Sequence, residues 1–250
     1  FKVEEGGKLG TFYGYRDAGR LIENAEELYA IRPIDPNTGK QTDYRSDFSE
    51  SAGDIYVVDL NGDGKITRDD REIIGDANPD FFGGFGSTVY WKGLRLNLTF
   101  TYSVGADRYW EMENGNGGTG GLNVYNGIAG ILNNSWTLQG NGARYPHIDY
   151  YARGDNNVFT DRFIHDASYM RLSALNLSYR LPDKIFKEML IQGVELTFQA
   201  TNLFTLTDYP GMDPQGNFNT RNFAFWGAGY DISAYPSAKN FNFGVKFTLK

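Results

Sequence analysis

The chain has 250 residues, a formal net charge of −7, no cysteine, 16% aromatic residues and 31 glycines. The acidic balance argues against nucleic acid, which needs a basic stripe to neutralise phosphates, and the lack of Cys removes disulfide frameworks, thiolate zinc sites and Cys nucleophiles together. Mean hydropathy is −0.48 and no apolar run approaches the ~20 residues of a membrane-spanning helix, yet abundant aromatics and glycine at low hydropathy suggest an all-β protein with long polar loops, a profile that a transmembrane β-barrel shares because its strands alternate apolar and polar residues.

Phe1 is not an initiator methionine, and no charged segment followed by an apolar one begins the chain. The sequence therefore reads as starting in mid-protein or after processing. The first ~75 residues are mostly loop-like, with a short helix expected at residues 24–30. Residues 59–70 then read DLNGDGKITRDD, the pattern of a twelve-residue calcium loop. Asp59, Asn61 and Asp63 fill the first three ligand positions, Gly64 supplies the sharp turn and Lys65 offers its backbone carbonyl. Ile66 would pack inward, Thr67 stands at position nine, and Asp70 stands where a bidentate Glu is usual. The shorter Asp side chain predicts weaker affinity. No amphipathic helix precedes the loop, since IYVVDL reads as extended, so a structural Ca2+ staple is expected rather than a helix–loop–helix sensor. The DLNGDG run is also a good turn former without metal.

Five strands follow. Phe81, Gly83, Phe85, Ser87 and Val89 share one face. The turn Tyr90-Trp91-Lys92-Gly93, with positive φ expected at the glycine, closes a hairpin. Residues 93–104 then alternate strictly, with Leu94, Leu96, Leu98, Phe100, Tyr102 and Val104 on one face. The third strand, 166–181, changes phase near Ala174, which implies either a bulge or two faces that are not cleanly wet and greasy. The connector 182–192 predicts one or two helical turns. The fourth strand, 194–206, and the fifth, 240–250, recover strict alternation.

Glycine- and asparagine-rich stretches at 105–165 and 207–238 separate these strands. Loops this long are unusual in compact soluble domains and expected in outer-membrane barrels. Short connections at 90–93 and 182–192 would lie on the periplasmic side, and both long ones outside. Five strands cannot close a barrel, because an open edge in lipid leaves backbone groups unsatisfied. The barrel reading therefore needs more strands than this chain supplies. Periodicity leaves a soluble β-sandwich open beside it.

Neither His147 nor His165 lies in a cluster with zinc-ligand spacing, and both read as loop or strand-start residues. Glu111 and Glu113, near Asp107, do not stand out from an acidic loop as a glycosidase pair. Trp110, Trp136, Trp226 and Tyr230 lie in or beside the long loops and are candidate substrate contacts, since flat rings stack on sugars and anchor peptides; packing of the loops is the competing use. Tyr90 and Trp91 suit the interfacial aromatic girdle.

The residues also carry a resemblance. The run GDIYVVDLNGDGKITRDDREIIGDANPDFFGGFGSTVYWKGLRLNLTFTYSVGAD, then SYMRLSALNLSYRLP, then GVELTFQATNLFTLTDYPGMDP, resembles the C-terminal region of SusC/RagA-type TonB-dependent outer-membrane transporters of Bacteroidetes. The opening GKLGTFYGYRDAGRLIENAEEL is similar to the family segment that precedes the calcium-like loop. The match departs from barrel practice at Leu249-Lys250, where an aromatic residue is usual. The resemblance implies the C-terminal strands and long extracellular loops of a large transmembrane β-barrel of about 22 strands with a plugged lumen. Residues 1–80 would be an extracellular loop region and 81–250 the barrel strands with their loops, the N-terminal plug and remaining strands lying outside the chain. It further implies no enzyme activity, TonB-driven import, location in the bacterial outer membrane among its lipids, a SusD-like surface lipoprotein as partner, and an oligosaccharide, or in some members a peptide, as ligand.

Overall fold

The computed structural model describes residues 5–42, 52–114, 128–136, 142–146, 156, 158–187, 190–215, 229–232 and 235–249. In chain order the strands are β1 (Thr11–Tyr15), β2 (Asp17–Leu21), β3 (Ile55–Val57), β4 (Arg71–Asp76), β5 (Phe81–Trp91), β6 (Leu94–Val104), β7 (Asp107–Trp110), β8 (Ile164–Asp166), β9 (Tyr169–Arg180), β10 (Ile191–Thr201), β11 (Thr205–Thr207), β12 (Tyr230–Asp231) and β13 (Asn240–Leu249). Three short helices are α1 (Ala25–Ile31), α2 (Glu111–Asn114) and α3 (Ala129–Asn134). The chain divides into two compact units. One gathers Phe1–Asn78, Asp107–His165 and Asn217–Ala234, and the other Pro79–Ala106, Asp166–Gly216 and Tyr235–Lys250.

The second unit is an antiparallel sheet in the order β13-β10-β9-β6-β5, with β11 also on β9. Its first hairpin closes with Trp91 opposite Leu94, and Lys92 and Gly93 have φ of 44° and 84°. Two successive positive φ values are what the twist of a two-residue hairpin demands. Among the described residues, the connector after β9 makes a 3-10 turn, Asp183–Phe186.

The phase change in the third predicted strand is a bulge. Thr99 of β6 faces Ala174 and Phe100 faces Leu172, so Ser173 is the extra residue, and its hydroxyl meets that of Thr101 at 2.6 Å. The bulge puts Met170 and Leu172 on the same face as Leu175, Leu177 and Tyr179. The predicted fourth strand, 194–206, is not continuous, which is a correction. Asn202 adopts φ of 54° and its N–H donates to Ser173 O at 3.1 Å. The chain turns there and resumes as β11, opposite Tyr169–Arg171. Asparagine tolerates this left-handed corner better than any residue but glycine.

One face of this sheet is apolar apart from Ser87, which pairs with Leu98, and among the described residues its outer strands are exposed. Phe243 is 83% exposed, and Phe85, Phe241, Val245, Phe247 and Leu249 are all exposed. Cross-strand ring pairs pave it: Phe85 stacks on Phe100 at 5.0 Å, and Phe198 meets Phe243 at 4.9 Å. A β-sandwich buries its apolar faces between two sheets, so the sandwich alternative fails.

The first unit has a core of its own. β1 pairs with β4, β2 with β3, and β12-β7-β8 form a third small sheet. Phe12, Ile55 and Phe163 are wholly buried there, each contributing roughly 2 kcal/mol. Tyr109 lies between Phe159 and Tyr230, at 4.6 and 4.7 Å. The predicted helix is α1. Asn24 Oδ1 accepts from Glu27 N at 2.9 Å, and Glu27 Oε2 accepts from Glu23 N at 2.7 Å, which satisfies otherwise orphaned N–H groups at its start.

Candidate functional site

The polar face of the six-stranded sheet is built by register. Thr88, Asn97, Asn176, Gln199 and Asn242 are successive partners across five strands, so four amide side chains and a hydroxyl form one row. Asn97 Nδ2 donates to Thr88 Oγ1 at 2.8 Å. One rung nearer the short turns lie Tyr90, Arg95, Ser178 and Thr197, and beyond them Arg180, Glu195 and Lys246. Arg95, Asn97, Asn176, Ser178, Thr197 and Gln199 line a shallow cavity of about 390 Å³. Amides offer both donors and acceptors. This face can hydrate, or hydrogen-bond an elongated polar molecule, while the opposite face tolerates neither.

Residues 59–70 form a loop laced by alternate side chains. Asp59 accepts from Gly62 N and Gly64 N, one at each oxygen, both at 2.7 Å. Asn61 Oδ1 accepts from Asp63 N, and Asp63 Oδ1 from Lys65 N, both at 2.8 Å. Asp70 is fully buried and closes the loop from within: Oδ1 accepts from Leu60 N and Asn61 N, and Oδ2 from Thr67 N. Gly62 and Gly64 take φ of 75° and 83°, and Ile66 packs into the core as its position predicts. The donors are hard oxygens of the kind calcium takes, and each carboxylate oxygen of Asp59 keeps a further lone pair. Among the described residues, however, no three His, Cys, Asp or Glu side chains gather as a metal set. The loop is closed by its own backbone N–H groups.

The aromatic candidates are not brought together. Trp136 is a correction. Its indole occupies the space a Cβ at Gly53 would fill, 2.5 Å from that position, and is 8% exposed within the core, which leaves no ring face for a ligand. Tyr230 stacks on Tyr109, and burial pushes the Tyr109 hydroxyl up to about 12. Trp110 keeps some exposure and meets His165 edge-on at 6.1 Å. Trp226 and His147 lie outside the described residues.

Two polar hubs escape sequence reasoning. Glu113, 2% exposed, accepts from Arg144 Nη2 at 2.8 Å and Tyr145 Oη at 3.0 Å with one oxygen, and its other oxygen lies 2.5 Å from His165 Nε2. Burial raises its pKa, but His165 and Arg144 outweigh that and hold the carboxyl below its ordinary value. This joins α2, residues 144–145 and β8. Arg171, also buried, donates to Thr205 Oγ1 at 2.8 Å, Gln215 Oε1 at 2.6 Å and Asp213 Oδ1 at 2.5 Å, while Asp213 also accepts from Ser237 N. Both sets of partners lie tens of residues apart, so no local spacing signals them.

No family model matches the chain. It is 32% identical over 247 residues to TonB-dependent receptor P3 of Formosa agariphila, covering 97% of this chain and 22% of that protein. It is 26% identical over 208 residues to TonB-dependent receptor SusC of Bacteroides thetaiotaomicron, covering 81% and 18%. The fold is similar to the solved RagAB peptide transporter, with TM-score 0.62 and 28% identity over 96% of this chain and 23% of that one. The chain thus spans about a fifth of the length of these relatives.

Proposed function

The chain belongs to the SusC/RagA-type TonB-dependent transporters of the bacterial outer membrane, and we propose that it forms part of the wall and extracellular loops of a nutrient importer. The observation that carries this reading is the two-faced sheet. Its uncovered apolar face meets lipid, and its amide and arginine rows line a wet interior. Transport is capture and gated passage, with no bond broken. TonB acts on a part of the transporter outside residues 1–250, and a SusD-like lipoprotein captures the nutrient at the surface.

The ligand in this reading is an oligosaccharide, whose apolar ring faces suit Trp110, Trp226 and Tyr230. A peptide is the second reading, favoured by the similarity to the RagAB peptide transporter. The test is uptake of labelled oligosaccharides and peptides by cells with and without the gene. Loss of oligosaccharide uptake alone supports the first reading, loss of peptide uptake alone the second, and unchanged uptake of both refutes import.

We further propose that the 59–70 loop takes one calcium ion through Asp59, Asn61, Asp63 and the Lys65 carbonyl, with Asp70 holding the loop closed behind them. Binding to the folded state alone raises the unfolding temperature as the ion approaches saturation. Calcium added after chelation raises the melting temperature of the wild-type transporter and leaves Asp63→Ala unchanged; an equal rise in both removes the site.

A further inference from the structure

Residues 61–62 read Asn-Gly. In such a pair the asparagine side chain turns readily on its own backbone, because glycine has no Cβ to hinder approach to its nitrogen. The Gly62 amide nitrogen loses its proton and bonds to Asn61 Cγ. The Cγ–Nδ2 bond breaks and ammonia leaves. The resulting succinimide takes up one water and opens to aspartate or isoaspartate.

The loop restrains both partners in that step. Gly62 N–H donates to Asp59 Oδ1 at 2.7 Å. A carboxylate at that distance opposes loss of the proton, since the nitrogen would become an anion beside an anion. Asn61 Oδ1 accepts from Asp63 N at 2.8 Å, and Nδ2 donates to Asp63 Oδ2 at 3.3 Å. The amide is therefore turned toward Asp63, and the leaving nitrogen is tied. Water is not the restraint, because Asn61 and Gly62 are exposed.

We propose that Asn61 is a latent deamidation site, kept intact by its hydrogen bonds and those of Gly62 to Asp59 and Asp63, and released when the loop opens. Conversion replaces a neutral amide with a carboxylate in a loop that already carries Asp59, Asp63, Asp69 and Asp70. The isoaspartate product also inserts a carbon into the backbone, which shifts Gly62 and Gly64 off the Asp59 carboxylate. The restraint lies in the loop's own bonds and does not depend on a bound cation.

The test is peptide mapping by mass spectrometry of the transporter purified from outer membranes and aged at 37 °C and mildly alkaline pH with calcium chelated throughout, so that loss of an ion plays no part in the comparison. Wild-type protein should gain the one-dalton product at Asn61 at least about tenfold more slowly in its folded state than in urea, and Asp59→Ala should restore most of that factor, as the loss of a charge-assisted hydrogen bond requires. Asp63→Ala, which frees the asparagine side chain, gives an independent reading if Asp59→Ala does not assemble. Asp69→Ala, at an exposed loop position, makes the same change in charge and is the control. Equal rates in folded and denatured wild type overturn the proposal, as do Asp59 and Asp63 variants that age no faster than wild type.

Discussion

Val245 lies in the middle of β13, on the apolar face opposite Leu196, and is 56% exposed. In water, replacing such a residue with arginine changes stability by about 0.5 kcal/mol or less. In a bilayer the same change costs ~2–4 kcal/mol at the midplane and little at the interfaces. Depth therefore matters. The ten residues of β13, at ~3.4 Å per residue and a tilt of ~40°, cover about 25 Å of membrane height. That matches the apolar band of an outer-membrane barrel and puts Val245 near its centre. Val245→Arg should lower the folded ratio by a factor of roughly 30 to 1,000. Asn242→Arg, on the polar face of the same strand, should stay within about 0.5 kcal/mol. Both variants of the full transporter are read by reversible urea unfolding in lipid vesicles and by the amount assembled in the outer membrane. If Val245→Arg is as mild as Asn242→Arg, the apolar face does not meet lipid and the barrel assignment fails.

Deleting Ser173 removes the extra residue and leaves a regular alternation, with Leu172 still opposite Phe100 and Arg171 still opposite Thr101, so both faces of the strand are kept. Assembly should persist, at the cost of the Asn202 N–H bond to Ser173 O, and Ser173→Ala, which drops one hydroxyl pairing, should cost ~1 kcal/mol in the same unfolding assay; a deletion that abolishes assembly refutes the bulge reading. Arg171→Ala should cost about 3 kcal/mol, the low end for breaking a buried pair, since Asp213 keeps the N–H groups of Gln215 and Ser237; Arg171→Lys should restore only part, lacking the planar fork that reaches three acceptors. The Glu113 carboxyl has a folded pKa below its unfolded one. Its stabilising share is therefore complete above the ordinary Glu value near 4.3 and is lost as pH falls through the depressed folded value. Hydrogen exchange at residues 111–114 and 144–145 should stay slow at pH 5 and quicken only in stronger acid, and Glu113→Gln should weaken protection already at pH 7.

The sheet was legible because lipid and water impose opposite demands on adjacent residues. Leu94 to Val104 and Phe241 to Leu249 show that alternation without error. Even the bulge at Ser173 announces itself as a change of phase. The break at Asn202 does not, because Phe204 and Leu206 continue the period on the far side of a left-handed corner. The 59–70 loop was legible as a turn for a local reason: each side chain caps an N–H two to five residues ahead. Trp136 was not, since its burial depends on the missing Cβ of Gly53, remote in sequence. The Glu113 hub needs Arg144, Tyr145 and His165 to converge across more than thirty residues, and such long-range closure leaves no periodic trace.

Ser173 and Asn202 stand side by side, joined by a backbone hydrogen bond, so β9 and the β10–β11 path depart from regular pairing at the same height. Toward the short turns, β5, β6, β9 and β10 keep an unbroken rung count set by the Lys92-Gly93 hairpin, and the β10–β13 pairing shifts once, between Ile191 and Gly193. Toward the long connections, the chain is tied instead by the side chains around Arg171. Residues can therefore be gained or lost beyond that height without renumbering a single rung beneath it. A lineage of such proteins is free to rewrite its outward segments while inheriting the wall unchanged.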